Sequence, residues 1–249
     1  RLPPDPPSDI VPCEGPLDIL YEDEHLLVVN KPPYVPVHPG PGHHEDTLGN
    51  FLTWHYLQNG TPHTYRPVNR LDRSTSGLMC VAKDGYTQEL LKLQLHTQTF
   101  SRIYAACCHC FLPLVQHFVN TPIARQKDSV LKREIRPDGA PALTYFQVLE
   151  RRGDRALLAL KLATGRTHQI RVHMASIGWP LLGDFLYGQE EPDVIGRTAL
   201  HSWHLSFLHP VTGGKLEFTT PPPADFTALF PHYRYPDPAT IDFGKDTSC

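Results

Sequence analysis

The chain has 249 residues, 40% hydrophobic and 20% charged, with a net charge of −3. A chain this long buries roughly 70% of its unfolded surface, so neither a metal nor a disulfide framework is needed to hold it together. No apolar run approaches the roughly 20 residues of a membrane span, no signal segment opens the chain, and the balance of charge disfavours wholesale polyanion binding except through local clusters of arginine.

Residues 1–16 hold six prolines and read as an extended linker that begins at Arg1. Leu17, Ile19 and Tyr21 alternate with polar positions, and Leu26–Val29 is an unbroken apolar run. With the polar turn at residues 22–25 they predict a hairpin. Residues 34–46 are proline- and glycine-rich loop. Thr47 is placed to cap a helix through Gln58, with Leu48, Phe51, Leu52 and Leu57 at helical spacing and Asn59-Gly60 as its stop. Leu78–Ala82 predicts a short strand. Asp84 caps a second helix carrying Leu90, Leu91 and Leu95. Residues 100–112 predict another strand.

Residues 120–141, with Lys127, Lys132, Arg133 and Arg136, read as a mobile basic loop. Strands follow at 143–150 and 156–163, joined by a turn at Arg152-Gly153-Asp154. Thr167 is placed to cap a helix to Ile177, with Ile170, Met174 and Ile177 inward and Gly178 as its stop. Strands at 199–208 and 215–218 close the pattern, and residues 224–249 read as a poorly ordered tail. Strands outnumber helices and short turns join neighbours. This is an α+β class, a mixed, mainly antiparallel sheet with flanking helices. The six cysteines (Cys13, Cys80, Cys107, Cys108, Cys110 and Cys249) follow no disulfide spacing and read as reduced thiols. Cys107–Cys110 lacks a second ligand pair for zinc.

Three stretches carry candidate chemistry. In Asn69-Arg70-Leu71-Asp72-Arg73-Ser74-Thr75-Ser76-Gly77 a carboxylate stands between two arginines, ahead of three hydroxyls that are candidates to position its oxygens. The same composition also describes a turn with a surface ion pair. In Thr164-Gly165-Arg166-Thr167-His168-Gln169-Ile170-Arg171-Val172-His173 a glycine turn leads into a helix N-terminus, which attracts anions. His168 and His173 are five apart, about 140° around a helix, so they do not share a face as a metal pair would. Tyr104, in Ser101-Arg102-Ile103-Tyr104, suits either base stacking or ordinary core.

Taken in order, these stretches resemble the RluA-type pseudouridine synthases. The likeness spans about residues 17–223. It includes Asn30-Lys31-Pro32 with Val37-His38-Pro39, Arg70 through Gly77, Arg102-x-Tyr104, Thr164 through His173, Pro180 through Gly188, and Leu200-His201 through His209-Pro210. The resemblance implies a single catalytic domain over 17–223 that isomerises uridine within ribosomal or transfer RNA, with no metal or organic cofactor. It implies a monomer in the cytoplasm, with the linker at 1–16 the remnant of an upstream RNA-binding domain. It implies that Asp72 attacks the ribose anomeric carbon or assists proton removal from the neighbouring carbon. Tyr104 stacks on the uracil and moves the carbon-5 proton, and Arg171 pairs with the aspartate, with Arg166 a possible substitute. Lys31, Arg70, Arg73, Arg166 and His168 are the implied RNA contacts. Two departures stand out. Asn69 replaces the family's usual histidine, and the segment after Tyr104 lacks its usual closing glycine.

Overall fold

The computed structural model describes residues 8–97, 99–110 and 117–244. The first residues of the linker, the end of the strand expected at 111–112 and Cys249 lie outside them. In chain order the elements are β1 (Ile19–Glu22), β2 (Leu26–Lys31), α1 (Leu48–Gln58), β3 (Arg66–Pro67), β4 (Ser76–Ala82), α2 (Gly85–Leu95), β5 (Ser101–His109), β6 (Phe118–Asn120), β7 (Ile123–Arg125), β8 (Arg133–Ile135), β9 (Leu143–Arg152), β10 (Arg155–Leu162), α3 (Gln169–Ser176), β11 (Leu200–Leu208), β12 (Lys215–Thr219) and α4 (Ala224–Thr227). The chain divides into two compact units. One runs to Phe100 and adds Leu205–Thr220; the other takes Ser101–His204 and everything from Pro221 onward.

In the first unit β1, β2 and β4 lie side by side and antiparallel, with β3 also on β4. The predicted hairpin is β1–β2. Leu26, Val28, Leu78 and Cys80 share a core with Leu91 of α2, and Phe100 stacks on Phe207 with ring centroids 5.2 Å apart. Both predicted caps are present. The Thr47 hydroxyl accepts the Asn50 N–H while the Asn50 side chain accepts the Thr47 N–H, and Asp84 accepts the Thr87 N–H. Along α1 the buried partner of Leu48, Phe51 and Leu52 is Tyr56; Leu57, expected inward, is 53% exposed.

In the second unit the strand order is β5-β10-β9-β6, antiparallel throughout. Successive strand residues point to opposite faces. Ile103, Ala105 and Cys107 of β5 join Leu157 and Ala159 of β10 in a core with Trp203, Phe226 and Phe230. Arg102, Tyr104, Ala106 and Cys108 therefore face the other way.

Three expectations are corrected. The tail from 224 is not loose over its described part. Phe226 and Phe230 are 0% and 2% exposed, Tyr235 meets Trp203 edge-on, and the buried Arg197 guanidinium donates to both oxygens of Asp225. Aromatic anchors at 226, 230 and 235 outweigh the proline and aspartate content. The basic stretch at 120–141 contains an antiparallel ribbon, β7–β8, with Arg136 bonded to Glu134 and Asp138. The third helix begins one residue later than expected. His168, not Thr167, precedes it, in the left-handed region at φ 57° and with no side-chain cap.

The tightest polar knot of the first unit is Asp23, in the β1–β2 turn. It accepts the Tyr21 hydroxyl (2.6 Å), the N–H groups of His25 and Leu26, and pairs with His209 (2.8 Å). Burial alone would raise its pKa, but these bonds outweigh burial and hold it at about 2. A depressed carboxylate stabilises the fold above its unfolded pKa near 4, and that contribution disappears as pH falls through about 2. Asp23→Asn is expected to cost roughly 2 kcal/mol at pH 7, with the gap to the parent protein narrowing below pH 4 in chemical denaturation.

Candidate active site

The segment leading into the Asp72 loop is tied twice to Cys80 of β4. The Val68 N–H donates to the Cys80 carbonyl (2.9 Å), and the Cys80 N–H donates to Asn69 Oδ1 (2.8 Å). The residue that departs from the family pattern thus fastens the loop to its strand. At Asp72 the chain turns, closed by the Thr75 N–H on the Asp72 carbonyl (3.1 Å), and Gly77 enters β4 at φ 109°, a conformation that favours glycine. Asp72 is half-buried. Of its three hydroxyl neighbours, Thr75 is buried and its Oγ1 has no hydrogen-bond partner, so it does not position the carboxylate as the sequence suggested.

Lys31 lies opposite Gly77 in the β2–β4 ladder. It was expected to contact RNA. Instead it is 0% exposed, and its ammonium donates to the carbonyls of Pro32 (2.8 Å), Val35 (2.9 Å) and Arg73 (3.3 Å). A fully buried ammonium with oxygens on several sides is a staple, and here it joins the Asn30-Lys31-Pro32 segment to the Asp72 loop. Arg70 and Arg73 are exposed. The Arg73 guanidinium donates to His43 Nε2 (3.1 Å), whose other ring nitrogen bonds Asp46 (2.6 Å). Partial burial, then the positive charge of Arg70, holds His38 below the ordinary imidazole range.

In the second unit Tyr104 and Arg102 are 5% and 6% exposed on one face of β5. Gln169 shapes the turn before α3. Its carbonyl oxygen accepts the Thr164 hydroxyl and the Arg166 N–H, and its amide donates to the Leu143 carbonyl and the Thr144 hydroxyl. Arg171 grips Asp184 bidentately, Nε to Oδ2 and Nη2 to Oδ1, both at 2.7 Å. The same carboxylate accepts the N–H groups of Leu186 and Tyr187, and the Tyr187 ring centroid is 5.2 Å from the guanidinium. Gly183 permits this turn. At φ 67° it has no room for a Cβ, which would stand 2.3 Å from the Arg197 carbonyl oxygen.

Asp184 therefore fixes the Arg171 guanidinium, a partnership the sequence motif carries without marking it. Its signal was a lone carboxylate inside the apolar run Leu181-Leu182-Gly183-Asp184-Phe185. His168 shares a hydrogen bond with the Tyr187 hydroxyl (2.9 Å) and is partly buried, whereas Arg166 is exposed, with its Nε on the Pro141 carbonyl. His173 is 0% exposed between Thr144 and the Thr121 carbonyl, and burial holds its pKa down. It is a neutral core histidine. Among the described residues, no three His, Cys, Asp or Glu side chains gather at metal-binding distances, and no helix is long and apolar enough to cross a membrane.

Comparison with known proteins identifies the family. The profile of the RNA pseudouridylate synthase family matches residues 25–176. The uncharacterized RNA pseudouridine synthase YjbO of Bacillus subtilis is 46% identical over 214 residues, which cover 86% of this chain and 75% of that protein. Ribosomal large subunit pseudouridine synthase D of Zymomonas mobilis is 38% identical over 238 residues, covering 90% and 75%. Among solved structures, human RNA pseudouridylate synthase domain containing 1 aligns with a TM-score of 0.67 at 28% identity, covering 86% of each chain. The chain belongs to the RluA-type pseudouridine synthases, isomerases that act on RNA.

Proposed function

We propose that this enzyme converts specific uridines of ribosomal RNA to pseudouridine with Asp72 as its catalytic carboxylate. The observation that carries the reading is the survival, in order, of every motif that bears a reacting group: Asp72 with its loop, Tyr104, and Arg171. The choice of ribosomal over transfer RNA rests on relatives at 38–40% identity whose names place them on the large ribosomal subunit. That substrate also fits a cytoplasmic enzyme. It works as a monomer, each copy carrying the full motif set.

The reaction rearranges one nucleotide and neither gains nor loses atoms. Cleavage of the N1–C1′ bond leaves the electron pair on uracil N1 and positive character on the sugar. The Asp72 carboxylate answers that charge, either by bonding to C1′ or by taking the proton from C2′; both roles need it ionised. The uracil then turns and C5 bonds to C1′, as the Asp72–C1′ bond breaks on the first route or as the proton returns to C2′ on the second. The C5 proton departs by way of Tyr104, against which the base stacks, and N1 gains a proton. Arg171, aligned by Asp184, keeps the carboxylate charged. Exposed Arg70, Arg73 and Arg166, with His168, meet the RNA around a nucleotide drawn out of its stack. Lys31 contributes by holding the loop that carries Asp72.

Purified enzyme incubated with ribosomal and transfer RNA from cells lacking it is expected to form pseudouridine at defined large-subunit positions. Asp72→Asn should lower the single-turnover rate about a thousandfold or more while melting normally and still binding RNA. An active Asp72→Asn enzyme would remove the mechanism, and modification confined to transfer RNA would remove the substrate. Lys31→Met should behave differently, losing about 2–3 kcal/mol of stability together with activity, because three carbonyls lose their charged donor.

A further inference from the structure

Buried cations in this protein are neutralised with care. Lys31 has three carbonyls, Arg171 has both oxygens of Asp184, and Arg197 has both oxygens of Asp225. Arg102 is the exception. It is 6% exposed, its Nε has no hydrogen-bond partner, and among the described residues no carboxylate pairs with its guanidinium. Arginine does not shed its proton in proteins, and a desolvated charge without a partner costs several kcal/mol. The fold keeps this cation nonetheless.

Its surroundings show where the guanidinium points. A Cβ on Gly165 would stand 2.8 Å from Arg102 Nη1. The φ of Gly165 is not in the left-handed region, so space and not backbone strain is what this glycine supplies. The guanidinium end therefore rests against the turn that opens α3, where Gln169 already takes the Thr164 hydroxyl and the Arg166 N–H. Arg102 also shares a face of β5 with Tyr104, two residues or about 7 Å along the strand.

We propose that Arg102 is a phosphate-binding residue for the RNA strand, holding a phosphodiester beside the nucleotide whose base meets Tyr104. The inference rests on the RNA-synthase reading and adds a subsite to it. A phosphodiester is the fitting ligand because its charge is permanent, as arginine's is, and its paired oxygens match the guanidinium fork. The anion of the detached uracil exists only during turnover and would leave Arg102 uncompensated the rest of the time.

The test uses the whole chain and an oligouridylate, with Arg102→Met, Arg102→Lys and Gly165→Ala. Without RNA, Arg102→Met should melt at the parent temperature or above it, since it removes an uncompensated buried charge. With RNA, its affinity should fall about tenfold near 0.1 M salt, and the slope of log affinity against log salt should become shallower by about 0.7. Arg102→Lys should keep the salt slope but lose the fork's share of affinity. Gly165→Ala, which displaces the guanidinium without removing it, should also bind more weakly. The proposal is overturned if Arg102→Met binds with the parent's affinity and slope, or if it lowers only kcat, the mark of contact with the uracil anion. A lower melting temperature in Arg102→Met with RNA affinity intact would make the residue structural and overturn it too. Should the parent enzyme form no pseudouridine, the proposed function fails, while the salt slopes still decide whether Arg102 binds phosphate.

Discussion

An ammonium with no exposed surface holds the Asp72 loop in place. Lys31 comes from the second strand and ends among carbonyls of its own segment and of Arg73, the residue next to the carboxylate. Loops are ordinarily the most mobile parts of a fold. This one is pinned by a charge that cannot leave without stranding three carbonyls, and by Asn69 on the backbone of β4. Catalysis by an aspartate depends on aim, because a misplacement near 1 Å can cost a hundredfold in rate. The staple fixes the backbone from which the carboxylate projects.

The second unit solves a parallel problem with opposite charges. Arg171 is desolvated, and Asp184 answers it in the two-toothed geometry that a guanidinium favours, with backbone N–H groups completing the carboxylate. The strand that carries Tyr104 sorts its residues by alternation. The odd set from Ile103 to Cys107 is sealed under Trp203 and the tail aromatics, which leaves the even set with Arg102 and Tyr104 for other work. The tail therefore contributes indirectly, by closing the opposite face. Arg102 stands apart from Lys31, Arg171 and Arg197 because, among the described residues, neither a carboxylate nor a ring of carbonyls answers it.

Local signals were legible. The hairpin, the Thr47 and Asp84 caps, the β9–β10 turn and the α+β class all follow from patterns within a few residues, and the motif order identified the family. What escaped reading depends on partners distant in sequence. Lys31 looks like a surface cation until its carbonyls at Val35 and Arg73 are in view. The tail looks disordered because prolines and aspartates interrupt it, and nothing local reveals that Trp203 awaits its aromatics. The basic ribbon at β7–β8 hides behind charges that pair with one another. Thr167 is a better cap by composition than His168, yet the turn set by Gln169 places the helix start one residue on. Tyr56 displaced Leu57 from the core because the α1 stripe is wider than its leucines alone suggest.

In the proposed function, the carboxylate of Asp72 isomerises uridine in ribosomal RNA. Mapping pseudouridine across total RNA tests it most directly, using cells that carry the gene, cells that lack it, and cells in which only the Asp72→Asn form is restored. Loss of modification at defined large-subunit positions in the second and third, with full modification in the first, is the expected result. Unchanged ribosomal RNA in cells lacking the gene, or recovery of the missing positions by the asparagine form, would contradict it.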